Sequence, residues 1–183
     1  GVQTCALPIS MEFTMRKDID EYRIEEQGRC VFRASYEKED GLLSVYLKNM
    51  FGDDIMGFYQ IRKWYSKFHP CMNFTVYEGD QQIGELKKSR DGYELLYHDV
   101  YYRFYCGMHA GKRVVICFDR DHQIAEFVLD EVSIVRFKST TQQALLSLLC
   151  VLMKAFLDQE QFSQEAFLHH YIGVYDDASA AAA

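Results

Sequence analysis

The chain has 183 residues, which is enough to bury a substantial core within one domain. Its hydrophobic content of 49% and charged content of 26% are typical of a soluble globular protein. The formal net charge of −7 argues against nucleic acid, or an anionic membrane, as a partner for the whole surface, because both are polyanions.

The first ten residues are interpreted as a non-native leader. Gly1–Ile9 resembles the translation of a common sequencing-library adaptor. We therefore expect the natural chain to start near Met11 and assign residues 1–10 no role in the fold.

Short aromatic or β-branched runs alternate with turn residues through the middle of the chain, and this pattern predicts strands. Many short strands at close spacing indicate an antiparallel meander, sandwich or barrel. The predicted strands are Tyr22–Glu26, Cys30–Tyr36, Leu42–Lys48, Met56–Lys63, Met72–Glu78, Gln82–Lys88, Tyr93–His98, Tyr101–Cys106, Arg113–Phe118, Gln123–Leu129 and Ser133–Phe137.

Two predicted hairpins repeat one pattern. Tyr77–Leu86 aligns with Phe118–Phe127, and both read aromatic, acid, any, Asp, any, Gln, Ile, small, Glu, apolar. The acid-rich middle predicts the turn, and the Ile and the last apolar residue are expected to pack inward. Convergence of hairpins on similar turn chemistry is the alternative explanation.

An apolar helix is predicted over residues 140–157. Ser139 or Thr140, each followed by Gln three positions later, gives the spacing of a capping box. Between Ala144 and Met153 only Ser147 is polar, so apolar surface surrounds the whole cylinder. A helix of this kind must be enclosed by the rest of the fold or by a membrane.

The apolar run is too short for a membrane span, because Lys154 and Asp158 end it before the ~20 apolar residues that a span needs. We therefore predict a buried helix and no transmembrane segment. Its expected core residues are Leu145, Leu148, Leu149, Leu152 and Phe156.

The six cysteines form no C-x-x-C pair, and two of them, Cys117 and Cys150, lie within apolar segments. This arrangement argues against a disulfide framework or a cysteine metal site and favours reduced thiols in the cytoplasm. We predict one barrel domain over residues 11–162, and a tail over residues 163–183 that is partly helical and then disordered.

Hairpins followed by one enveloped helix resemble the tubby C-terminal-like superfamily, which includes the LURP-one-related proteins and the phospholipid scramblases. The resemblance rests on the hairpins at Tyr77–Asp80 and Phe118–Asp121 and on the segment Gln142–Asp158, which is similar to that of bacterial members. It implies a mainly β (α+β) fold, a closed antiparallel barrel of about 11 to 12 strands around one central hydrophobic helix, with no exposed strand edges.

Animal members of that superfamily include phosphoinositide binders that use clustered Lys and Arg on the barrel surface. The resemblance therefore implies a lipid-headgroup site, with Arg62, Lys63, Lys67, Lys87, Lys88 and Arg90 as candidates. Acidic residues lie close to them in sequence, including Glu78, Glu85, Asp91 and Asp119, so a mixed solvated face is the alternative. Phosphate recognition favours cations that no carboxylate opposes.

An enzyme or metal-binding protein is the second functional hypothesis. Asp119, Asp121 and His122 concentrate oxygen and nitrogen ligands in one turn, and His98, Asp99 and His109 do so elsewhere. Turn-forming Asp and His residues are the structural explanation for the same pattern. No familiar zinc-protease, serine-hydrolase or phosphate-loop motif occurs.

Two further classes of function are compatible with the sequence to different degrees. A carrier of small ligands inside the barrel is disfavoured, because a central helix leaves little interior volume. A protein-interaction role is compatible with crowded aromatics, of which about half should face outward on strands. These aromatics are Tyr93, Tyr97, Tyr101, Tyr102 and Tyr105, with Trp64 and Tyr65 elsewhere.

Together these observations favour a non-enzymatic binding or scaffolding protein without a cofactor. We expect a cytoplasmic protein that engages a protein partner or membrane lipid at the inner membrane face, and no nucleic acid.

Overall fold

The computed structural model describes residues 11–62, 73–90, 92–138 and 142–159, which form twelve strands and one helix. The elements are β1 (Met11–Lys17), β2 (Tyr22–Glu26), β3 (Arg29–Glu39), β4 (Leu42–Lys48), β5 (Asp54–Gln60), β6 (Phe74–Glu78), β7 (Gln81–Lys88), β8 (Tyr93–Tyr97), β9 (Val100–His109), β10 (Lys112–Asp119), β11 (His122–Leu129), β12 (Val132–Phe137) and α1 (Gln143–Gln159).

The twelve strands form a closed antiparallel barrel. Each strand pairs with the next in sequence, and β12 pairs with β1 in a register that sets Met11 opposite Phe137. Closure satisfies the backbone groups that a sheet edge would expose. The predicted fold class is therefore confirmed.

Strand β1 was absent from the predicted strands, which began at Tyr22. Its sequence does alternate as a strand should, with Phe13 and Met15 buried and Glu12 and Arg16 exposed. A seven-residue strand gives a short signal, and this one lies beside a segment with adaptor-like sequence. Only the pairing of β1 with both β2 and β12 shows that it closes the barrel.

Helix α1 is enclosed, as predicted. The nine consecutive residues Leu145–Met153 are each at most 2% exposed, and nine residues cover every face of an α-helix. The five predicted core residues are all buried: Leu145, Leu148, Leu149, Leu152 and Phe156. The helix was predicted over 140–157 and is observed from Gln143 to Gln159; residues 140 and 141 lie outside the described ranges.

Alternate residues of the strands supply the other half of the core. On β4, Leu43, Val45 and Leu47 point inward and are at most 2% exposed, while the residues between them are partly exposed. The helix packs against β3, β4, β5, β11 and β12. Each large side chain buried in this way stabilises the fold by about 1.5–3 kcal/mol.

The up-and-down topology sorts the connections into two ends. The proximal end is where α1 begins at Gln143, and it carries the β2–β3, β4–β5, β6–β7, β8–β9 and β10–β11 connections. The distal end is where α1 ends at Gln159, and it carries the remaining strand connections. Two consecutive connections in the sequence therefore lie at opposite ends of the barrel, because one strand runs between them.

The repeated hairpin pattern corresponds to repeated geometry. In β6–β7 the register shifts so that Ile83 is the extra residue of a bulge, and in β10–β11 Ile124 takes the same place. The carbonyl of Ile83 accepts a hydrogen bond from the amide of His98 (3.2 Å), and that of Ile124 accepts one from Lys138 (2.9 Å). The expected inward packing is confirmed, since Leu86 and Phe127 are buried and both Ile side chains pack against the core.

We predict that Leu149→Asp prevents folding. Leu149 is completely buried, and an unpaired carboxylate at this position would cost more than a typical domain's whole stability of about 5–15 kcal/mol unless it took up a proton. Circular dichroism and a thermal melt provide the measurement. Ile19→Asp, at an 88% exposed position, is the control and should melt like the parent; a cooperative melt of Leu149→Asp would contradict the enclosure of α1.

Two buried serines are expected to respond with opposite signs. The Ser147 hydroxyl on α1 has no hydrogen-bond partner in the described part of the chain, whereas Ser133 Oγ bonds both the amide and the carbonyl of Asp130 (3.2 and 3.1 Å). Ser147→Ala should raise the free energy of unfolding by about 1–2 kcal/mol, because it removes an unsatisfied buried polar group. Ser133→Ala should lower it by about 1 kcal/mol. Urea unfolding measures both, and destabilisation by Ser147→Ala would show that its hydroxyl is satisfied.

Candidate functional site

Four of the predicted headgroup residues come together at the distal end. Gln60, Phe74 and Leu86 form one cross-strand row through β5, β6 and β7. Arg62 and Lys88 each lie two residues beyond this row, so they sit roughly 10 Å apart across the width of β6. We call the set Arg62, Lys87, Lys88 and Arg90 the basic corner. Lys63 and Lys67 lie outside the described residues.

All four side chains of the basic corner are exposed. The Arg62 guanidinium donates to the carbonyl of Asp40 on the β3–β4 turn, which ties it to the rim. Among the described residues no carboxylate lies within ion-pair distance of Lys87, Lys88 or Arg90, although Glu94 is directly opposite Lys87 in the β7–β8 register. As far as the described residues show, Lys87, Lys88 and Arg90 therefore present cations without a bonded counter-ion.

Acidic residues that are close to these cations in sequence are not all close to them in the structure. Glu78 and Asp119, which are close to basic residues in sequence, end strands that run to the proximal end. Glu85 is exposed on β7 itself, and Asp91 lies outside the described residues. Two of the four acids close to these cations in sequence, Glu78 and Asp119, therefore lie at the other end of the barrel.

Two cations of the β9–β10 connection, Lys112 and Arg113, are paired with carboxylates. Lys112 Nζ lies 3.1 Å from Asp130 Oδ2, and Arg113 lies 3.9 Å from Asp158 Oδ1. Asp130 accepts backbone and Lys112 hydrogen bonds, which lower the pKa of its carboxyl group. These pairs distinguish the β9–β10 side of the distal rim from the basic corner.

The turn proposed for an enzyme or metal site is held by other contacts. Arg103 donates to the carbonyl of Arg120 (2.8 Å) and approaches Asp121 Oδ1 at 3.4 Å, while Asp119 and His122 close the hairpin as register partners. Over the described ranges, no three His, Cys, Asp or Glu side chains converge closely enough to hold a metal ion.

At the proximal end, a carboxylate, a phenol and an imidazole lie close together, and the sequence analysis did not predict this group. The Tyr97 hydroxyl donates to Glu78 Oε1 at 2.5 Å, and His98 Nε2 lies 3.3 Å from the same oxygen. Burial, followed by the hydrogen bond to Glu78, raises the pKa of Tyr97. His98 and Asp99 both have left-handed backbones (φ 47° and 62°), so this hairpin lacks the glycine that such a turn favours. The contacts lock two neighbouring turns together.

The core cysteines are poor nucleophiles. Cys117 and Cys150 are completely buried, and burial raises the pKa of both thiols. Since the thiolate is the reactive form, neither side chain can serve thiol chemistry in the folded protein. The four described cysteines are free: Cys30, Cys106, Cys117 and Cys150.

The tyrosines divide between the two faces of the sheet. Tyr93 and Tyr102 are buried, whereas Tyr101 is 61% exposed, and Trp64 and Tyr65 lie outside the described residues. An outward cluster occurs elsewhere, where the Tyr59 ring lies 5.3 Å from the rings of both Tyr46 and Tyr77. Local sequence crowding did not identify it, because its members come from three strands.

The β4–β5 loop was also missed. It displays Met50 and Phe51, which are 67% and 91% exposed. The available signal was an apolar pair between Asn49 and Gly52, two residues that favour turns.

Comparisons with known proteins place the fold. No protein-family model and no curated protein matches the chain. The X-ray structure of a protein from Arabidopsis thaliana is similar, with a TM-score of 0.55 and 14% identity over 81% of this chain and 93% of that chain. At this identity the likeness shows a shared fold alone. Within the described ranges, no helix is both long and apolar enough to cross a membrane.

Proposed function

We propose that the protein is a non-enzymatic binding or scaffolding protein of the tubby C-terminal-like superfamily that associates peripherally with the cytoplasmic face of a membrane. Its basic corner would receive phosphate groups of anionic lipids. The observation that carries the proposal is the set of exposed cations Lys87, Lys88 and Arg90, which have no ion-pair partner among the described residues.

The architecture favours binding on the outside of the molecule. Helix α1 occupies the barrel interior, and its residues from Leu145 to Met153 are buried on every face. A barrel filled by protein lacks the interior volume in which lipocalin-like proteins carry ligands. The rims and the outer face are thus the surfaces left for partners.

The position of the basic corner favours approach to a membrane by the distal end of the barrel. The basic corner lies there, and several acids that would oppose it are at the proximal end, including Glu78, Asp80 and Asp119. A cation near an anionic leaflet contributes about 1 kcal/mol of binding free energy. Three such cations give weak, salt-sensitive association in spite of the net charge of −7.

The non-enzymatic part of the proposal rests on the chemistry of the described residues. The buried thiols are protonated, and the Asp119–His122 turn is occupied by its contacts with Arg103. The polar group formed by Glu78, Tyr97 and His98 joins two turns of the rim by internal hydrogen bonds.

Vesicle pelleting tests the headgroup site. We expect the protein to sediment with phosphatidylcholine vesicles that contain phosphatidylserine and a phosphoinositide, and not with phosphatidylcholine alone. The variant Lys87→Gln/Lys88→Gln/Arg90→Gln should lose affinity by roughly fivefold per cation, or about 100-fold together. Raising the salt concentration should have a similar effect on the parent protein.

The matched control is Arg29→Gln/Lys48→Gln/Lys138→Gln, which removes the same charge from the proximal end and should leave sedimentation unchanged. A titration with soluble inositol hexakisphosphate separates a lipid surface from a free phosphate ligand. Equal losses in the two variants, or no binding to anionic vesicles, would reject the basic corner as a headgroup site.

A further inference from the structure

The β4–β5 loop at the proximal end is fixed by its first residue. Asn49 Oδ1 accepts hydrogen bonds from the amides of Phe51 (2.9 Å) and Asp53 (3.0 Å), and its Nδ2 donates to Asp53 Oδ2 (3.0 Å). Backbone bonds join Asn49 to Asp53 (3.0 Å) and Gly52 to Asn49 (3.1 Å). Gly52 has φ 89°, which a side chain would disfavour. Five hydrogen bonds within five residues define one loop conformation.

This rigid loop holds two large apolar side chains in water. Phe51 is 91% exposed and Met50 is 67% exposed, and they are adjacent in the chain. Single exposed apolar residues are ordinary on protein surfaces. A Phe–Met pair held in one conformation at a loop tip is different, because it has the residue types enriched in interfaces and needs no further ordering when it binds. Its burial by a partner would recover the hydrophobic free energy that the free protein forgoes.

The charge around the loop indicates which partner fits. The three adjacent proximal connections at residues 26–29, 48–54 and 78–81 carry five acidic residues and two basic ones; the acids are Glu26, Asp53, Asp54, Glu78 and Asp80. One of the bases, Lys48, is 4.0 Å from Asp54. A surface of this sign repels an anionic membrane and attracts a basic protein surface.

Aromatic surface continues below the loop on the outer face of the same strands. Tyr46 on β4, Tyr59 on β5 and Tyr77 on β6 are in edge-to-face contact, and Tyr59 lies over Gly57, where an added Cβ would meet its ring at 2.9 Å. Tyr46 is four residues from Met50, or roughly 13 Å along the strand. Tyrosine, Phe and Met are the residue types enriched in protein interfaces.

We propose that the Met50–Phe51 loop and the adjoining outer face of β4–β6 form a docking surface for a second protein, one with an apolar pocket bordered by Lys and Arg. Phe51 is the central anchor, and the acidic residues around the loop set the orientation of the partner. This surface is separate from the basic corner, so its failure would not bear on headgroup binding.

Site-specific photocrosslinking provides the test. Benzoylphenylalanine replaces Phe51 in the full chain, or Tyr101 as the control, an exposed aromatic near the same end on β9. Both proteins are irradiated in lysate of the source organism, and a protein joined only through position 51 is identified by mass spectrometry. That protein is then purified and titrated against the parent chain, Phe51→Ser and Tyr101→Ser.

The docking surface predicts a basic partner whose affinity falls at least tenfold with Phe51→Ser, falls with rising salt, and is unchanged by Tyr101→Ser. Asn49→Ala should also weaken it severalfold, because the loop would lose its preorganisation while keeping both apolar side chains. Thermal melts of Phe51→Ser and Tyr101→Ser should match the parent within a few degrees, since both substituted side chains are exposed.

Several results would overturn this proposal. In the crosslinking experiment, these are the absence of an adduct specific to position 51 and an adduct formed only with a second copy of this chain. In the titration, it is an affinity for the purified partner that either Phe51→Ser or salt fails to weaken. A further contradicting result is Phe51-dependent sedimentation with phosphatidylserine vesicles. The last result would make the loop a membrane-inserting element.

Discussion

The structure depends on one constraint, which is that α1 must be kept from water on every side. A helix with an apolar stripe can be covered by one layer, but the segment from Leu145 to Met153 has no polar face to leave uncovered. A closed sheet is the arrangement that surrounds such a cylinder and also leaves no strand edge unpaired. Helix and barrel therefore require each other, and neither half would be stable in water alone.

Because α1 fills the barrel, ligands and partners can bind only on the outer surface of the molecule. The up-and-down connections then divide that outside into two ends, and the two proposed binding surfaces lie at different ends. The distal rim holds the basic corner beside β5–β7, together with the acidic β1–β2, β3–β4 and β11–β12 connections, while the three proximal connections around the Met50–Phe51 loop hold five acidic and two basic residues. The two proposals therefore concern separate surfaces, and each can be tested without the other.

The sequence predicted most of the fold for identifiable reasons. Alternation of apolar and polar residues on β4 and turn pairs such as Asp40-Gly41 depend only on neighbours in the chain, and eleven of the twelve strands were found from such signals. The repeated hairpins were also readable, since each turn and its bulge lie within ten residues. Strand β1 was missed because its identity as a strand depends on pairing with β12, which is more than a hundred residues away.

The sites were less accessible to sequence reasoning. Lys87, Lys88 and Arg90 were recognised as a basic group, but whether carboxylates oppose them depends on the end of the barrel at which each residue lies. One strand of eight residues spans roughly 25 Å, so Glu78 and Lys88 lie at opposite ends of the barrel although only ten positions separate them in the sequence. The tyrosine cluster and the Glu78–Tyr97–His98 contacts join different strands and gave no local signal.

The sequence by itself therefore determined that an all-round apolar helix needs an enclosing β wall, because hydrophobic periodicity and turn chemistry are local properties of the chain. Only the tertiary structure decided that β1 closes the wall, which charges share a rim, and which apolar residues remain in water. Those outcomes depend on long-range pairing and register, and these bring together residues whose sequence separation carries no information about their distance.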